Sequence, residues 1–206
     1  KKNTEKIKKI EPPKKCPVCG GKTYKEKNEV VLRCTNTYGC YAQKISQIIH
    51  FISKKALNID GFGEKQAKQF YDLKIINNIV DIFLLEKNKT IIENLEGWGA
   101  LSFANLISSI EKCKKISLEK FIYSLGIRFI GEINAEILAK DLKNIDNFIS
   151  LSNNTSTLGN IDGLGPKAVS SIMEYFSYDH NLDLIKKLSK ILNVNEITIS
   201  NSKNFF

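Results

Sequence analysis

The stretch Ile161-Asp162-Gly163-Leu164-Gly165-Pro166-Lys167 constrains this chain more than any other, because it has three relatives within the same sequence. They are Ile59-Asp60-Gly61-Phe62-Gly63-Glu64-Lys65, Leu95-Glu96-Gly97-Trp98-Gly99 and a variant, Arg128-Phe129-Ile130-Gly131-Glu132. Aligned on the second glycine, the copies stand at 63, 99, 131 and 165, at intervals of 36, 32 and 34 residues. A single Gly-apolar-Gly suits any tight turn that needs positive φ before a helix. Four at near-constant spacing make an internal repeat. Each copy follows an apolar, helix-length segment and opens another, so the unit reads helix, short hairpin, helix. The fold class expected is mainly α, with four such repeats in one compact helical domain. In this geometry the N–H groups at the start of the second helix point outward, and glycine lets an anion approach them.

Charge narrows the choice of anion. Lys and Arg total 31 against 22 Asp and Glu, a net charge of +9, and Arg33 and Arg128 are the only arginines. Lysine meets phosphate as a point charge, whereas two-pronged reading of base edges usually falls to arginine. The balance favours sequence-independent binding to a nucleic-acid backbone, with a merely soluble, lysine-rich protein as the bland alternative. No apolar run approaches the roughly 18 residues of a membrane span and no signal peptide is present, so a cytoplasmic setting and no membrane partner are expected. The only methionine is Met173, so Lys1 is not expected to be a native start and the chain reads as a piece of something larger.

Residues 1–15 carry seven lysines and the pair Pro12-Pro13, and read as a basic linker. Residues 16–41 read as a zinc finger. Cys16, Cys19, Cys34 and Cys40 have the spacing Cys-x2-Cys-x14-Cys-x5-Cys, which can present four thiolates to one zinc at about 2.3 Å each. A cytosolic setting disfavours the competing reading, disulfides. With all four positions filled by protein, the zinc is structural, holding a module too small for its own core. The run Glu29-Val30-Val31-Leu32-Arg33 is expected to be a short strand carrying the second cysteine pair.

Residues 42–192 read as the helix-hairpin-helix domain. Ile45, Ile48, Ile49 and Ile52 recur at helical spacing, while His50 lies off that stripe and is expected at a boundary. Asn77-Asn78 marks a stop and a new cap, and Thr90-Ile91-Ile92-Glu93 suggests a capping-box start. Cys113 falls on the apolar stripe of its helix and reads as a core thiol. Trp98, like Phe62, Ile130 and Leu164, is expected to pack inward. Ser117 reads as a cap, and Pro166 suits a first helical position. In the third copy Phe129 replaces the first glycine, so a different backbone shape and a packing role are expected there. Residues 193–206 read as a linker leading out to a missing domain.

A four-cysteine module followed directly by four such repeats resembles the central-to-C-terminal part of bacterial NAD-dependent DNA ligases. The resemblance runs from about Pro12 to Val194 and includes Cys16-Pro17-Val18-Cys19-Gly20, Arg33-Cys34-Thr35-Asn36 and Ala42-Gln43. Phe51-Ile52-Ser53-Lys54-Lys55-Ala56-Leu57-Asn58-Ile59-Asp60-Gly61 and Tyr123-Ser124-Leu125-Gly126-Ile127-Arg128-Phe129-Ile130-Gly131-Glu132 belong to it as well. It implies that this portion helps encircle nicked duplex DNA along its minor groove. A separate N-terminal domain, followed by an oligonucleotide-binding barrel, would carry out adenylyl transfer from NAD, with magnesium implied for the parent enzyme. The adenylated lysine lies in Lys-x-Asp-Gly in that family. Here the tetrapeptides are Asn58-Ile59-Asp60-Gly61 and Asn160-Ile161-Asp162-Gly163, so no catalytic residue is assigned. Tyr41, Phe103 and Ala168-Val169 depart from the family pattern.

The expected function is sequence-independent duplex DNA binding within an enzyme that seals nicks in replication and repair. The phosphate contacts expected are the amides around Gly61, Gly63, Gly97, Gly99, Gly163 and Gly165, with Lys65 and Lys167 beside them. Two competing readings are a non-catalytic adaptor of another repair or recombination complex and a protein-interaction scaffold.

Overall fold

The computed structural model describes residues 12–26 and 29–196, which form two compact units divided between Ser46 and Gln47. The expectations for 1–11 and for 197–206 lie outside the described residues.

In the first unit, β1 (Thr23–Tyr24) pairs antiparallel with β2 (Arg33–Cys34), with Thr23 opposite Cys34 and Tyr24 opposite Arg33. The strand expected over residues 29–33 is shorter than its sequence suggests. Only Arg33 and Cys34 find ladder partners, and Val30 and Val31 are 90% and 53% exposed. A β-branched run becomes strand where a sheet face buries it, and this two-stranded ribbon offers none. Helix α1 (Tyr41–Ile52) begins directly after the last cysteine and crosses into the second unit. Its buried side chains are Ile45, Ile48, Phe51 and Ile52, with Ile49 only half-buried.

The second unit is helical. It contains α2 (Glu64–Asp72), a 3-10 segment Asp81–Asn88, α3 (Lys89–Glu93), α4 (Ala100–Cys113), α5 (Leu118–Ser124) and α6 (Glu132–Leu142). Then follow α7 (Ile145–Ser150), a 3-10 segment Ser156–Asn160, α8 (Pro166–Phe176) and α9 (Asp179–Ile191). The 3-10 segment is entered through Asn77-Asn78 as the sequence suggests. Asp81 Oδ2 accepts from the Asn77 N–H at 2.7 Å and the Asn78 side chain accepts from the Val80 N–H at 2.8 Å. Thr90 is not a cap; it lies inside α3, whose N-cap is Asn88, and its carbonyl accepts from Asn94 Nδ2. Ser117 is the N-cap of α5 by position only, since its side chain makes no capping bond.

Two aromatic clusters organise this unit. Phe62 and Phe70 (5.4 Å between centroids) and Phe70 and Trp98 (5.1 Å) join repeats one and two. Phe121 and Phe148 (6.4 Å) and Phe148 and Phe176 (5.3 Å) join repeats three and four. Phe70, Phe121 and Phe148 are fully buried, each contributing roughly 1.5–3 kcal/mol by leaving water. The second half is also closed by strands: β3 (Lys115–Ser117) and β4 (Asn193–Asn195) pair in parallel, Ile116 opposite Val194. Parallel strands need a long crossover, and here the crossover is repeats three and four themselves. Asn193–Asn195, assigned to the outgoing linker by sequence, is therefore part of the helical unit.

Candidate nucleic-acid interface and metal centre

All four hairpins share one local design. The turn closes with an N–H to carbonyl bond three residues back: Phe62 to Ile59 at 3.3 Å, Trp98 to Leu95 at 3.0 Å, Ile130 to Ile127 at 3.0 Å and Leu164 to Ile161 at 3.2 Å. Its third residue has positive φ, as a type II turn requires: Gly61 at 78°, Gly97 at 80°, Phe129 at 60° and Gly163 at 81°. The next residue turns inward, with Phe62, Ile130 and Leu164 buried and Trp98 half-buried against Phe70. Trp98 also donates from Nε1 to Gln69 Oε1 at 3.3 Å. The following glycines, Gly63, Gly99, Gly131 and Gly165, are extended and serve as N-caps of α2, α4, α6 and α8. Pro166 occupies the first turn of α8, where its missing N–H leaves no bond unmade.

The third hairpin overturns the expectation of a different backbone shape. Phe129 adopts the left-handed conformation that glycine takes in the other copies. Such a conformation costs a non-glycine residue about 1–3 kcal/mol and persists where surrounding contacts impose it. Those contacts are visible: Asn134 Nδ2 donates to the Phe129 carbonyl at 2.7 Å, and Arg128 Cζ lies 4.4 Å from the ring centroid.

The glycines expected to meet phosphate are not equivalent. A Cβ added at Gly61, Gly97, Gly99 or Gly165 would meet nothing within 4 Å, so open space lies beside these positions. At Gly163 it would stand 3.2 Å from Ile137 Cδ1, so this glycine also lets two repeats pack closely. The Gly63 N–H donates to Gln66 Oε1 at 3.3 Å and the Gly99 N–H to Ser102 Oγ at 2.9 Å. In the first two copies the cap amide is thus covered by the helix's own third residue, the returning half of a capping box. Lys65 is exposed beside the first hairpin, and Lys167 places Nζ 5.3 Å from the Phe129 ring centroid, linking hairpins three and four. Glu64 pairs with Lys68 at 2.6 Å on an exposed face, a contact of small energy.

Contacts across the repeats hold the hairpins in register. The Asp60 N–H donates to Ser109 Oγ at 2.7 Å, tying the first hairpin to α4. Lys55 Nζ lies 2.6 Å from Glu132 Oε1, and His50 Nε2 is 2.8 Å from the Tyr123 carbonyl. His50 is therefore a half-buried packing residue, as its position off the stripe suggests. Cys113 is buried with its thiol donating to the Ile110 carbonyl at 3.2 Å, and burial pushes its pKa up to about 12.

In the first unit, the sulfurs of Cys16, Cys19, Cys34 and Cys40 all lie within 4.8 Å of one another. Cys19 and Cys34 are 3.4 Å apart and Cys16 and Cys40 4.0 Å. Four sulfurs about 2.3 Å from one tetrahedral ion are separated by about 3.8 Å, so the cluster fits a structural zinc. The backbone builds it locally. The Cys16 N–H donates to the Gly21 carbonyl at 2.7 Å and the Gly20 N–H to the Cys16 carbonyl at 2.9 Å, with Gly20 at φ 69°. At Gly21 a Cβ would come within 3.2 Å of Cys19 Sγ, so glycine is what lets the knuckle close. The second pair is braced by the Asn36 N–H to Cys34 Sγ at 3.4 Å and by Gln43 Nε2 to the Cys34 carbonyl at 2.8 Å. The N–H groups of Cys19 and Val18 lower the Cys16 pKa to about 7. At Cys34 the Asn36 N–H acts to lower it, but burial and the Cys19 and Cys16 sulfurs prevail and raise it to about 11. One thiolate forms readily and opposes the next, a crowding that a divalent cation relieves.

Comparison with known proteins agrees with both halves. Residues 15–42 match the family described as NAD-dependent DNA ligase C4 zinc finger domain, and residues 120–185 match the helix-hairpin-helix motif. The chain is similar to the DNA ligase of Pelagibacter ubique (strain HTCC1062), at 46% identity over 98% of this chain and 31% of the relative. It is similar to that of Rickettsia canadensis (strain McKiel), at 42% identity over 88% of this chain and 28% of the relative. The DNA ligase of Rickettsia prowazekii (strain Madrid E) is 41% identical over 95% of this chain and 30% of the relative. The chain thus spans under a third of the length of these curated relatives. A cysteine cluster of zinc geometry, four hairpins of one shape and these matches place the chain in the NAD-dependent DNA ligase family, as its zinc-finger and helix-hairpin-helix portion.

Proposed function

We propose that this portion grips duplex DNA through its sugar-phosphate backbone, without reading sequence, and holds it for nick sealing by a parent ligase. The observation that carries this reading is the common shape of the four hairpins, each ending on an extended glycine at a helix start, on a chain of net charge +9. Helix starts of this kind receive anions. The phosphate contacts are the amides around Gly61, Gly63, Gly97, Gly99, Gly163 and Gly165, those of Gly63 and Gly99 becoming available as Gln66 and Ser102 give way, with Lys65 and Lys167 adding charge. Cys16, Cys19, Cys34 and Cys40 hold one structural zinc and take no part in chemistry.

NAD and magnesium belong to the parent enzyme's adenylation domain. The two Asp-Gly pairs of this chain lie in hairpin turns and neither follows the lysine that adenylation needs. Mixed with NAD and magnesium, the chain forms no adenylyl adduct; one detected by intact mass would refute this assignment. The partners are duplex DNA carrying a nick and the adenylation, oligonucleotide-binding and C-terminal domains of the same protein. The setting is the bacterial cytoplasm, and no described helix is long and apolar enough to cross a membrane.

The test is binding of nicked and intact duplexes of unrelated sequence across a salt series. With about four phosphates neutralised, log affinity falls against log salt with a slope of roughly −3.6 and little dependence on sequence. An affinity independent of salt, or strong preference for one sequence, overturns the proposal.

A further inference from the structure

Leu101 and Ile133 are 75% and 74% exposed, and each is the second residue of the helix its hairpin opens, after the caps Gly99 and Gly131. A single exposed leucine is ordinary. These two, however, share one position of the repeat, which lysine holds in the other copies as Lys65 and Lys167. The core does not use them. Each stands two residues before the first buried residue of its helix, Phe103 or Ala135, which is about 200° around at 3.6 residues per turn. Hairpin two also lies in a stretch without cations: no lysine or arginine falls between Lys89 and Lys112, whereas Glu93 and Glu96 do, in a chain of net charge +9. A Cβ at Gly97, Gly99 or Gly131 would meet nothing within 4 Å, so the space beside these glycines is open.

We propose that Leu101 and Ile133 are duplex-facing contacts, laid against the apolar faces of deoxyribose rings beside the phosphates that the hairpin amides receive. This rests on the duplex-binding reading above and gives hairpins two and three a contact of different chemistry from hairpins one and four. A DNA strand alternates charged phosphates with sugars whose C–H edges are apolar, so a surface that follows several phosphates must also cover sugars. In a helix the Cα–Cβ bond tilts toward the N-terminus, which carries a side chain at the second position over the turn before it, alongside the cap glycine. There Leu101 and Ile133 take their own apolar surface and that of the sugar out of water together. Ile133, being β-branched, has little rotamer freedom to lose. A lysine at the same place meets the phosphate as a point charge instead. Sugar contacts carry no sequence information, in keeping with a grip that reads none.

The experiment measures binding of a nicked DNA duplex across a salt series by the zinc-loaded 206-residue chain and by Leu101→Ala, Ile133→Ala, the double alanine variant, Leu101→Lys and Lys65→Gln, with thermal unfolding measured on each. Each alanine variant should bind several-fold more weakly at every salt concentration, with the slope and the melting temperature of the parent chain, since an exposed apolar contact releases no counterions and supports no core. Lys65→Gln, by contrast, should flatten the slope by about 0.9, the loss of one phosphate contact. Leu101→Lys should steepen it by about the same amount, because a cation placed there reaches a phosphate. A double alanine variant that binds with wild-type affinity refutes the proposal, whatever the lysine variant does. Should an alanine variant melt lower, Leu101→Lys still decides: a steeper slope supports the duplex-facing position and an unaltered slope refutes it. Failure of the two readings is distinguishable. Salt-dependent binding by the parent chain with unaltered alanine variants refutes the sugar contacts alone, whereas salt-independent binding by the parent chain refutes the duplex reading.

Discussion

Asn134 Nδ2, in the first turn of α6, donates to the carbonyl oxygen of Phe129 at 2.7 Å and so fastens a left-handed non-glycine residue to the helix its hairpin opens. Removing that donor leaves the strained turn without its anchor. Asn134→Ala should lower the unfolding free energy by about 1–2 kcal/mol in urea titration, within the range for a lost hydrogen bond to a half-buried acceptor. The double variant Asn134→Ala/Phe129→Gly should recover part of the loss because glycine adopts the turn without strain. No recovery would show that the bond matters for another reason.

Gly165 and Gly163 separate binding from folding. A side chain at Gly165 enters open space at ordinary φ, whereas Gly163 combines φ 81° with Ile137 at 3.2 Å. Gly165→Val should reduce duplex affinity several-fold and shift the melting temperature little. Gly163→Val should melt markedly lower as well, by the strain of a β-branched residue at positive φ. Equal loss of stability in both would identify the fourth hairpin as structural only.

Metal removal should affect the two units differently. Among its described residues the first unit has two short strands and two buried cysteines, so its order is expected to depend on the ion. One zinc per chain is expected by elemental analysis, and chelation under denaturing conditions should give a chain in which the helical signal of residues 47–196 returns while the zinc-finger resonances do not disperse. Cys19→Ser should lower zinc retention in the same assay. A metal-free chain with dispersed finger resonances and full DNA affinity would contradict the structural role.

Cys113 predicts an alkaline dependence. Burial raises its pKa to about 12, above the ordinary thiol value near 8.5, so the folded state holds its proton longer than the unfolded chain does. The associated stability is fully present below the unfolded pKa and is lost as pH rises from there toward 12. Compared with Cys113→Ala, the parent chain should lose stability more steeply between about pH 8.5 and 11. Parallel curves for the two would rule out a buried thiol. At neutral pH, Cys113 should also resist alkylation until the chain unfolds.

Several features were legible from residue order because short-range chemistry specifies them. Cysteine spacing with Gly20 and Gly21 built the metal knuckle, and the four hairpins lie where the repeat puts them, each closed by a bond only three residues long. The inward packing of Phe62, Ile130 and Leu164 followed from the apolar position they share in the hairpin turn, and the burial of Cys113 from helical periodicity. The strand expected over residues 29–33 failed because β structure needs a partner, and β1 supplies one only for Arg33 and Cys34.

By itself, then, the sequence determined where the hairpin turns, their glycine caps and the cysteine cluster fall, since each is settled by residues within a few positions of one another; the cap read at Thr90 was not among them. Only the tertiary structure decided that Phe129 takes a glycine's conformation, that repeats pair one with two and three with four, and that Asn193–Asn195 closes against Lys115–Ser117. Those outcomes depend on partners tens of residues away, such as Lys167 above Phe129 and Trp98 against Phe70, whose packing energy outweighs local preference.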